Sequence, residues 1–199
     1  MRPVHYTTDG VDLYKVCVGP LENNAYLLVD RETEAAVLVD AAAEPETLLD
    51  LLDGRPLRAI LTTHGHWDHV GAAAAMAEAT GAPVHVHPAD AERAGLAEAL
   101  PIPARLEVGA IRLDAIPIPG HTPGSTVFRL DGAVLTGDTL FPGGPGKTPD
   151  EDAFEEILSG IEAHLFTLDD DTLVFPGHGL DTTIGAERPN LAAWRARGW

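Results

Sequence analysis

The alternation of apolar and polar residues in the first third of the chain predicts several short strands and one helix. Apolar runs of six to eight residues, rich in β-branched side chains, are typical of strands. An amphipathic segment followed by Gly54 predicts a helix, because glycine commonly lies just beyond a helix end. The predicted strands are residues 11–18, 24–30, 35–40 and 58–63, and the predicted helix is 44–53.

The remainder of the chain repeats this arrangement with a second set of strands and helices. Strands are predicted at 82–88 and 172–179, hairpins at 104–120 and 125–138, and helices at 68–81, at 150–168 and within 186–199. Two strand sets, each with its own helices, fit two packed mixed sheets with helices outside, in four layers. We therefore expect an α+β fold that forms one domain over residues 1–199.

The acidic composition of the chain excludes several classes of function. Its 199 residues include 31 Asp and Glu against 13 Lys and Arg, which gives a formal net charge of −18. Nucleic-acid binding normally needs a basic surface, so we expect no such partner. No apolar run is long enough for a membrane span, and the N-terminal residues contain no apolar segment of a signal peptide. We therefore expect a cytoplasmic protein without a membrane partner.

The single cysteine, Cys17, carries little chemical information. One cysteine cannot form an internal disulfide. Cys17 lies inside a predicted strand, and no neighbour in the sequence is placed to lower the pKa of its thiol. We expect a core residue rather than a nucleophile.

A short loop after the strand at 58–63 concentrates four potential metal ligands. In the stretch LTTHGHWDHVGA, His64 and His66 are two apart in extended chain and so point the same way. Asp68 and His69 follow where the chain turns into a helix, and can face a second point nearby. Crowded imidazoles repel one another when charged and are costly to bury, so a purely structural role is a poor explanation. Imidazole and carboxylate groups suit zinc and similar divalent metals.

Three further candidate ligands follow other apolar runs. His121 lies in IPIPGHTPGS, Asp138 in AVLTGDTLF and His178 in TLVFPGHG. Each alone is an ordinary turn residue. Because loops at strand ends present functional groups on a rigid scaffold, we expect these three to complete the site begun by the histidine-rich loop. By contrast, His85 and His87 alternate on a predicted strand without a partner motif, and we expect them to be structural.

The residues of these motifs and their order resemble those of the metallo-β-lactamase superfamily, and within it the hydroxyacylglutathione hydrolases (glyoxalase II) and their short relatives. The resemblance covers nearly the whole chain through NNAYLLVD, VLVDAA, THGHWDHVGA, PGHTPGS, LTGDTLF and FPGHG. It implies a four-layer αββα sandwich with a metal centre at the rim of the two sheets. Only about 20 residues follow His178, so we expect no C-terminal helical substrate domain.

The resemblance also implies a role for each candidate residue. The first of two metals would be held by His64, His66 and His121, the second by Asp68, His69 and His178, and Asp138 would bridge them. Asp68 and Asp138 would be the catalytic members of this set. Asp40, in VLVDAA, matches an acidic residue that supports the centre. The metals would be zinc, with iron or manganese as alternatives.

The activity implied is hydrolysis of a small-molecule acyl thioester. A hydroxide shared by the two metals would attack the carbonyl, and a metal would stabilise the developing oxyanion. The leaving thiolate needs little protonation, so no dedicated general acid is required. Lys147, in GGPGKTP, matches a family cation that binds the carboxylate of the thiol carrier, and it is the candidate substrate-binding residue.

Three alternative functions share most of these motifs. A persulfide dioxygenase would bind a single iron, but GKTP is a poor match to the corresponding segment of those enzymes. Lactonases and β-lactamases share the centre, and no feature of the sequence selects their substrates. An inactive metal-binding module is the third alternative, although a structural zinc site needs only four ligands. His66 stands where di-iron oxygen-reducing relatives have glutamate, which favours hydrolysis.

Overall fold

The computed structural model describes residues 3–96 and 98–199; part of the segment in which no signal peptide is expected, residues 1–2, lies outside them. The helices are α1 Pro45–Leu52, α2 Trp67–Val70, α3 Ala73–Thr80, α4 Ala91–Ala94, α5 Glu151–Gly160, α6 Ile184–Glu187 and α7 Leu191–Arg197. The strands are β1 Tyr6–Thr8, β2 Val11–Val18, β3 Asn23–Asp30, β4 Ala36–Val39, β5 Leu57–Leu61, β6 Val84–Val86, β7 Leu100–Pro101, β8 Arg105–Val108, β9 Ile111–Pro117, β10 Thr126–Leu130, β11 Ala133–Gly137, β12 Leu140–Phe141, β13 Gly144–Pro145, β14 Leu173–Pro176 and β15 Thr182–Thr183.

Two mixed sheets organise the molecule, as the strand pattern predicts. The first sheet has the order β1-β2-β3-β4-β5-β6-β7, and the second has the order β15-β14-β11-β10-β9-β8. In the first sheet β4, β5 and β6 are parallel neighbours, and in the second β11 and β14 are parallel. The two predicted hairpins are present as β8–β9 and β10–β11. The strands β12 and β13 form a small separate hairpin.

Three apolar clusters define the interfaces between four layers. One cluster joins helices α1 and α3 to the outer face of the first sheet, where Leu48 and Met76 pack near Leu27. A second, containing Leu28 and Phe128, fills the space between the two sheets. The third packs α5 and α7 on the outer face of the second sheet. This stack of helix, sheet, sheet and helix confirms the αββα sandwich.

The helix predicted at 68–81 is instead two helices, α2 and α3, separated at Gly71 and Ala72. The backbone N–H of Ala72 donates to the carbonyl of Ala41 at 2.9 Å. A Cβ at Gly71 would lie 2.7 Å from the carbonyl oxygen of Ala42, so the chain approaches this loop too closely for a side chain. A tertiary contact with the loop after β4 therefore accompanies the break, and sequence periodicity could not reveal it.

The prediction that Cys17 is a core residue is wrong. Cys17 is exposed, although it lies on the same face of β2 as Val11 and Leu13, which are buried between the two sheets. The neighbouring Val16 and Val18 are buried. Most positions of β2 are buried, and the sequence alone does not show which position the neighbouring layer leaves exposed.

Among the described residues, no helix combines the length and the hydropathy required to cross a bilayer.

The strands that precede the predicted ligands end at two sheet edges that meet. In the first sheet, β4 and β5 end just before Asp40 and His64. In the second, β9, β11 and β14 run in one direction and end before His121, Asp138 and His178. Backbone hydrogen bonds of 2.8 Å from Thr126 N–H to the Thr63 carbonyl and of 2.7 Å from Asn24 N–H to the Gly177 carbonyl join the two edges. The sandwich therefore gathers the seven predicted ligands at one rim.

Candidate metal centre

The structure brings His64, His66 and His121 together as a first triad. The Nδ1 atom of His66 lies 3.0 Å from His64 Nε2 and 2.9 Å from His121 Nε2. His64 is buried, whereas His66 and His121 are partly exposed. Three ring nitrogens therefore face one another from two loops that belong to different sheets.

Asp68, His69 and His178 form a second triad. The Nε2 atoms of His69 and His178 are 3.2 Å apart, and Asp68 Oδ2 lies 3.6 Å from the first and 3.4 Å from the second. The amide of Asn23 donates to Asp68 Oδ2 at 2.9 Å. Sequence reasoning missed Asn23; its place in the NNAYLLVD motif is the only signal that could have indicated it.

Asp138 lies between the two triads. Its Oδ2 atom is 3.5 Å from His121 Nε2, and its Oδ1 atom is 3.4 Å from His69 Nε2. Among the described residues, Oδ1 is one of two buried side-chain oxygens without a hydrogen-bond partner. A Cβ at Gly177 would collide with this oxygen and lie 2.7 Å from His69, which explains the glycine in FPGHG. The carboxylate is placed to face both groups of ring nitrogens.

Opposed electrostatic effects act on the buried members of the cluster. Burial and the neighbouring His69 hold the pKa of His64 well below its ordinary value. Burial opposes the charged form of His69, but Asp40 and Asp138 outweigh it and raise the pKa of His69 to about 10. Burial raises the pKa of Asp138, but the adjacent His69 and the charges of His121 and His178 leave it lowered.

The ring nitrogens outside the cluster are occupied in a way that fits metal ligation. The Nδ1 atoms of His69, His121 and His178 lie 2.8, 2.6 and 2.9 Å from Asp40 Oδ2, the Lys147 carbonyl and the Leu21 carbonyl, and His64 Nδ1 lies 3.1 Å from Thr63 Oγ1. Because each Nδ1 has an oxygen acceptor, the tautomer that leaves Nε2 free is favoured. This pattern is usual for histidines that bind metals.

The donor spacing also fits divalent metal ions. Three donor groups have ligand atoms within 4.8 Å of one another: the first triad, the second triad, and His64 with His69 and Asp138. Two nitrogens bound tetrahedrally to one zinc ion are about 3.3 Å apart, close to the 2.9–3.2 Å found here. Together with the unpartnered oxygen of Asp138, this spacing makes the cluster chemically suited to two ions.

Asp40 supports the second triad through the His69 nitrogen that faces away from the cluster. Its Oδ2 atom contacts His69 Nδ1 at 2.8 Å and accepts from the Thr63 hydroxyl at 2.7 Å, while Oδ1 accepts from Thr63 N–H at 2.7 Å. The residue has a φ of 57°, in the left-handed region that residues other than glycine rarely adopt. Strained backbone of this kind persists where the surrounding structure enforces it, often at functional sites.

Asp90 supports the loops that carry the first triad, and the sequence analysis did not identify it. This completely buried carboxylate accepts hydrogen bonds from Gly65 N–H at 2.8 Å, from the Thr122 hydroxyl at 2.6 Å and from Gly124 N–H at 3.0 Å. Gly65 separates His64 from His66, and Thr122 follows His121. Asp90 therefore ties together the two loops of the first triad. In the sequence it looks like an ordinary helix-start acid before α4.

The other predicted residues lie outside the cluster. His85 Nδ1 is 3.0 Å from the Pro101 carbonyl, and His87 Nδ1 accepts from Ala89 N–H at 3.3 Å. Neither belongs to the three donor groups. Lys147 lines a pocket of about 570 Å³ whose other walls include His66 and His121. The predicted substrate-binding residue is thus next to the first triad.

Comparison with known families matches most of the chain. A model described as the metallo-beta-lactamase superfamily matches residues 18–178. A protein named hydroxyacylglutathione hydrolase, from Anaeromyxobacter dehalogenans, is 38% identical in an alignment of 183 positions that covers 88% of this chain and 70% of that protein. Hydroxyacylglutathione hydrolase GloC from Haemophilus influenzae is 33% identical in an alignment of 199 positions that covers 86% of this chain and 92% of that protein.

Solved structures show the same fold. TTHA1623, in a di-iron-bound form, is 35% identical with a TM-score of 0.74, covering 88% of this chain and 96% of that one. ETHE1 from Myxococcus xanthus is 29% identical with a TM-score of 0.80, covering 91% of this chain and 84% of that one.

Proposed function

Because this chain belongs to the metallo-β-lactamase superfamily, a superfamily of metal-dependent hydrolases, we propose that it hydrolyses acyl thioesters with two zinc ions. The first ion would be held by His64, His66 and His121, and the second by Asp68, His69 and His178. Asp138 would face both. We propose iron or manganese as the alternatives to zinc, and the di-iron form of TTHA1623 is a precedent for iron.

The observation that carries the two-metal proposal is the hydrogen bonding of the ring nitrogens. In both triads the nitrogens that face the cluster are left free, because the opposite nitrogens of four of the five histidines meet oxygen atoms. When bound, two divalent ions would supply a water whose pKa is lowered towards about 7 and would polarise a carbonyl oxygen. The side chains of the two triads would hold those ions, and the carboxylate of Asp138 would face both.

The choice of a thioester is supported by the relatives and by the pocket. Two relatives carry the name hydroxyacylglutathione hydrolase. A thiolate leaves without needing a proton from the protein, so a site built from metal ligands and without a further general acid is sufficient. Lys147 lines the adjoining pocket, where its ammonium group would bind a carboxylate of the thiol carrier.

A paired assay tests the proposal. We expect the purified protein to contain close to two metal ions per chain by mass spectrometry and to hydrolyse S-lactoylglutathione. We expect no oxygen consumption with a persulfide substrate, and much slower turnover of a lactone or a cephalosporin. One tightly held iron together with oxygen consumption would replace the hydrolase with a dioxygenase. Two metals without turnover of any of these substrates would indicate an inactive metal-binding module.

A further inference from the structure

The pocket beside the first triad has an uneven charge. It is lined by His66 and His121, by the cations Arg93 and Lys147, and by one acid, Glu156. In a chain of net charge −18, two cations in one pocket are a local concentration of positive charge. The Lys147 side chain makes no hydrogen bond or ion pair with the described residues, and Arg93 Nε is 3.9 Å from Asp90.

The ion pair between Arg93 and Asp90 is long, at 3.9 Å. The Asp90 carboxylate already accepts three shorter hydrogen bonds, from Gly65, Thr122 and Gly124. About half of the Arg93 side chain is exposed, with 47% of its surface accessible. Its guanidinium is therefore available to an anion in the pocket, and neither the motif nor the resemblance pointed to it.

The loops around the second triad have the opposite character. Leu21, Trp67 and Leu180 are 50%, 67% and 80% exposed, and they are half of the six large apolar side chains that the described residues leave exposed. The Leu21 carbonyl contacts His178 Nδ1 at 2.9 Å. Trp67 directly precedes Asp68, and Leu180 lies two residues beyond His178. Apolar groups exposed next to the ligands of a candidate metal centre are typical of a binding surface.

From this contrast we infer that the substrate is two-ended, with an anionic thiol carrier in the Arg93–Lys147 pocket and an apolar acyl group beside Leu21, Trp67 and Leu180. The inference rests on the proposed thioester hydrolysis and adds the class and orientation of the substrate. Acyl groups larger and more apolar than lactoyl are preferred. Arg93 is a specificity-determining residue for the carrier, and Trp67 is one for the acyl group.

Each end of the substrate makes its own quantitative prediction. A methylene removed from water on Trp67 and its neighbours raises kcat/KM by about two- to fourfold. Along acetyl, butanoyl and hexanoyl thioesters of glutathione, kcat/KM therefore climbs in the wild type and is nearly flat in Trp67→Ala. Arg93→Ala and Lys147→Ala raise KM for glutathione thioesters by about two- to fivefold, with little change in kcat. They leave the neutral N-acetylcysteamine thioesters unaffected, and their effect shrinks as salt rises.

The experiment measures this series with the metal-loaded protein and matched controls. Leu100→Ala and Arg58→Ala remove an exposed leucine and an exposed arginine that do not line the pocket, and their profiles match the wild type. S-methyl-, S-butyl- and S-hexylglutathione, which cannot be hydrolysed, provide a second readout by calorimetry. The wild type binds S-hexylglutathione most tightly, and Trp67→Ala loses that preference.

The outcomes distinguish failure of the two-ended substrate model from failure of the proposed thioester hydrolysis. Thioester hydrolysis that is independent of acyl length, or that responds equally to Trp67→Ala and Leu100→Ala, overturns the apolar end. Equal effects of Arg93→Ala on charged and neutral thioesters overturn the ionic end. Failure of the wild type to hydrolyse any thioester, with two metals bound, overturns the proposed function itself.

Discussion

The two triads are built from similar ligands but are supported in different ways. The second includes a carboxylate, Asp68, and its fully buried His69 contacts the Asp40 carboxylate directly at 2.8 Å. The first consists of imidazoles alone and opens onto the pocket that Arg93 and Lys147 line. Its supporting acid, Asp90, makes its hydrogen bonds to backbone N–H groups and a hydroxyl, and none of them is to a ligand ring.

This difference shows that one centre can be fixed by two physical means. Asp40 acts on a ligand itself, because a carboxylate behind an imidazole sets its tautomer and raises its basicity. Asp90 acts on the loops that carry the ligands, so it affects where His66 and His121 lie rather than how strongly they donate. We therefore expect the second triad to hold its metal more tightly, and a chelator to remove the two metals in two steps.

The largest effect is expected at Asp138, because this residue faces both triads. Asp138→Ala removes the only carboxylate that faces both triads among the described residues. We expect a loss of hydrolysis of at least about a hundredfold and a fall in metal content below two per chain, with an unchanged circular dichroism spectrum. Near-wild-type turnover at full metal loading would show that Asp138 is not a ligand.

Asp40→Asn tests the stronger support. An asparagine is uncharged and has one oxygen, so it cannot accept from both the Thr63 hydroxyl and the Thr63 N–H, and the second triad should lose about 10- to 100-fold in metal affinity. In a chelator titration the two release steps should then merge into one. Two well-separated steps in this variant would mean that the direct carboxylate contact is not the source of the difference.

Asp90→Asn tests the weaker support. We expect about tenfold lower affinity at the first triad and a changed visible spectrum after cobalt substitution, because the loop geometry relaxes. The matched control is Asp30→Asn, a buried carboxylate that also accepts backbone hydrogen bonds, at 2.7 Å from Thr33 and from Ala110. Both variants should lose stability by about 1–3 kcal/mol, measured by urea unfolding. A metal effect of equal size in the control would reduce Asp90 to a structural residue.

The smallest effect is expected from histidines outside both triads. Changing His85 and His87 together to Gln should leave two metals per chain and both chelator steps unchanged. These rings bind a carbonyl and a backbone N–H near β6. Loss of one metal equivalent by mass spectrometry would place a ligand where neither triad has one.

Local sequence patterns predicted most of the fold and nearly all of the cluster. The strands, the two hairpins and the helices α1 and α5 follow from apolar periodicity and turn residues, which act over neighbouring positions. The short spacing of His64, His66, Asp68 and His69 indicated metal chemistry because such crowding has few structural uses. The distal residues were indicated by their places after apolar runs.

Tertiary structure alone decided the features that depend on contacts between distant segments. The break between α2 and α3 follows the approach of Gly71 and Ala72 to the loop after β4. Cys17 is exposed because the packing between the sheets, which buries Val11 and Leu13 on the same face of β2, does not extend to it. Asp90 contacts both ligand loops, and Arg93 lines the pocket beside them, only because α4 packs beside two loops that lie about 30 residues away on either side. A sequence shows which groups can do chemistry, whereas packing decides which of them meet.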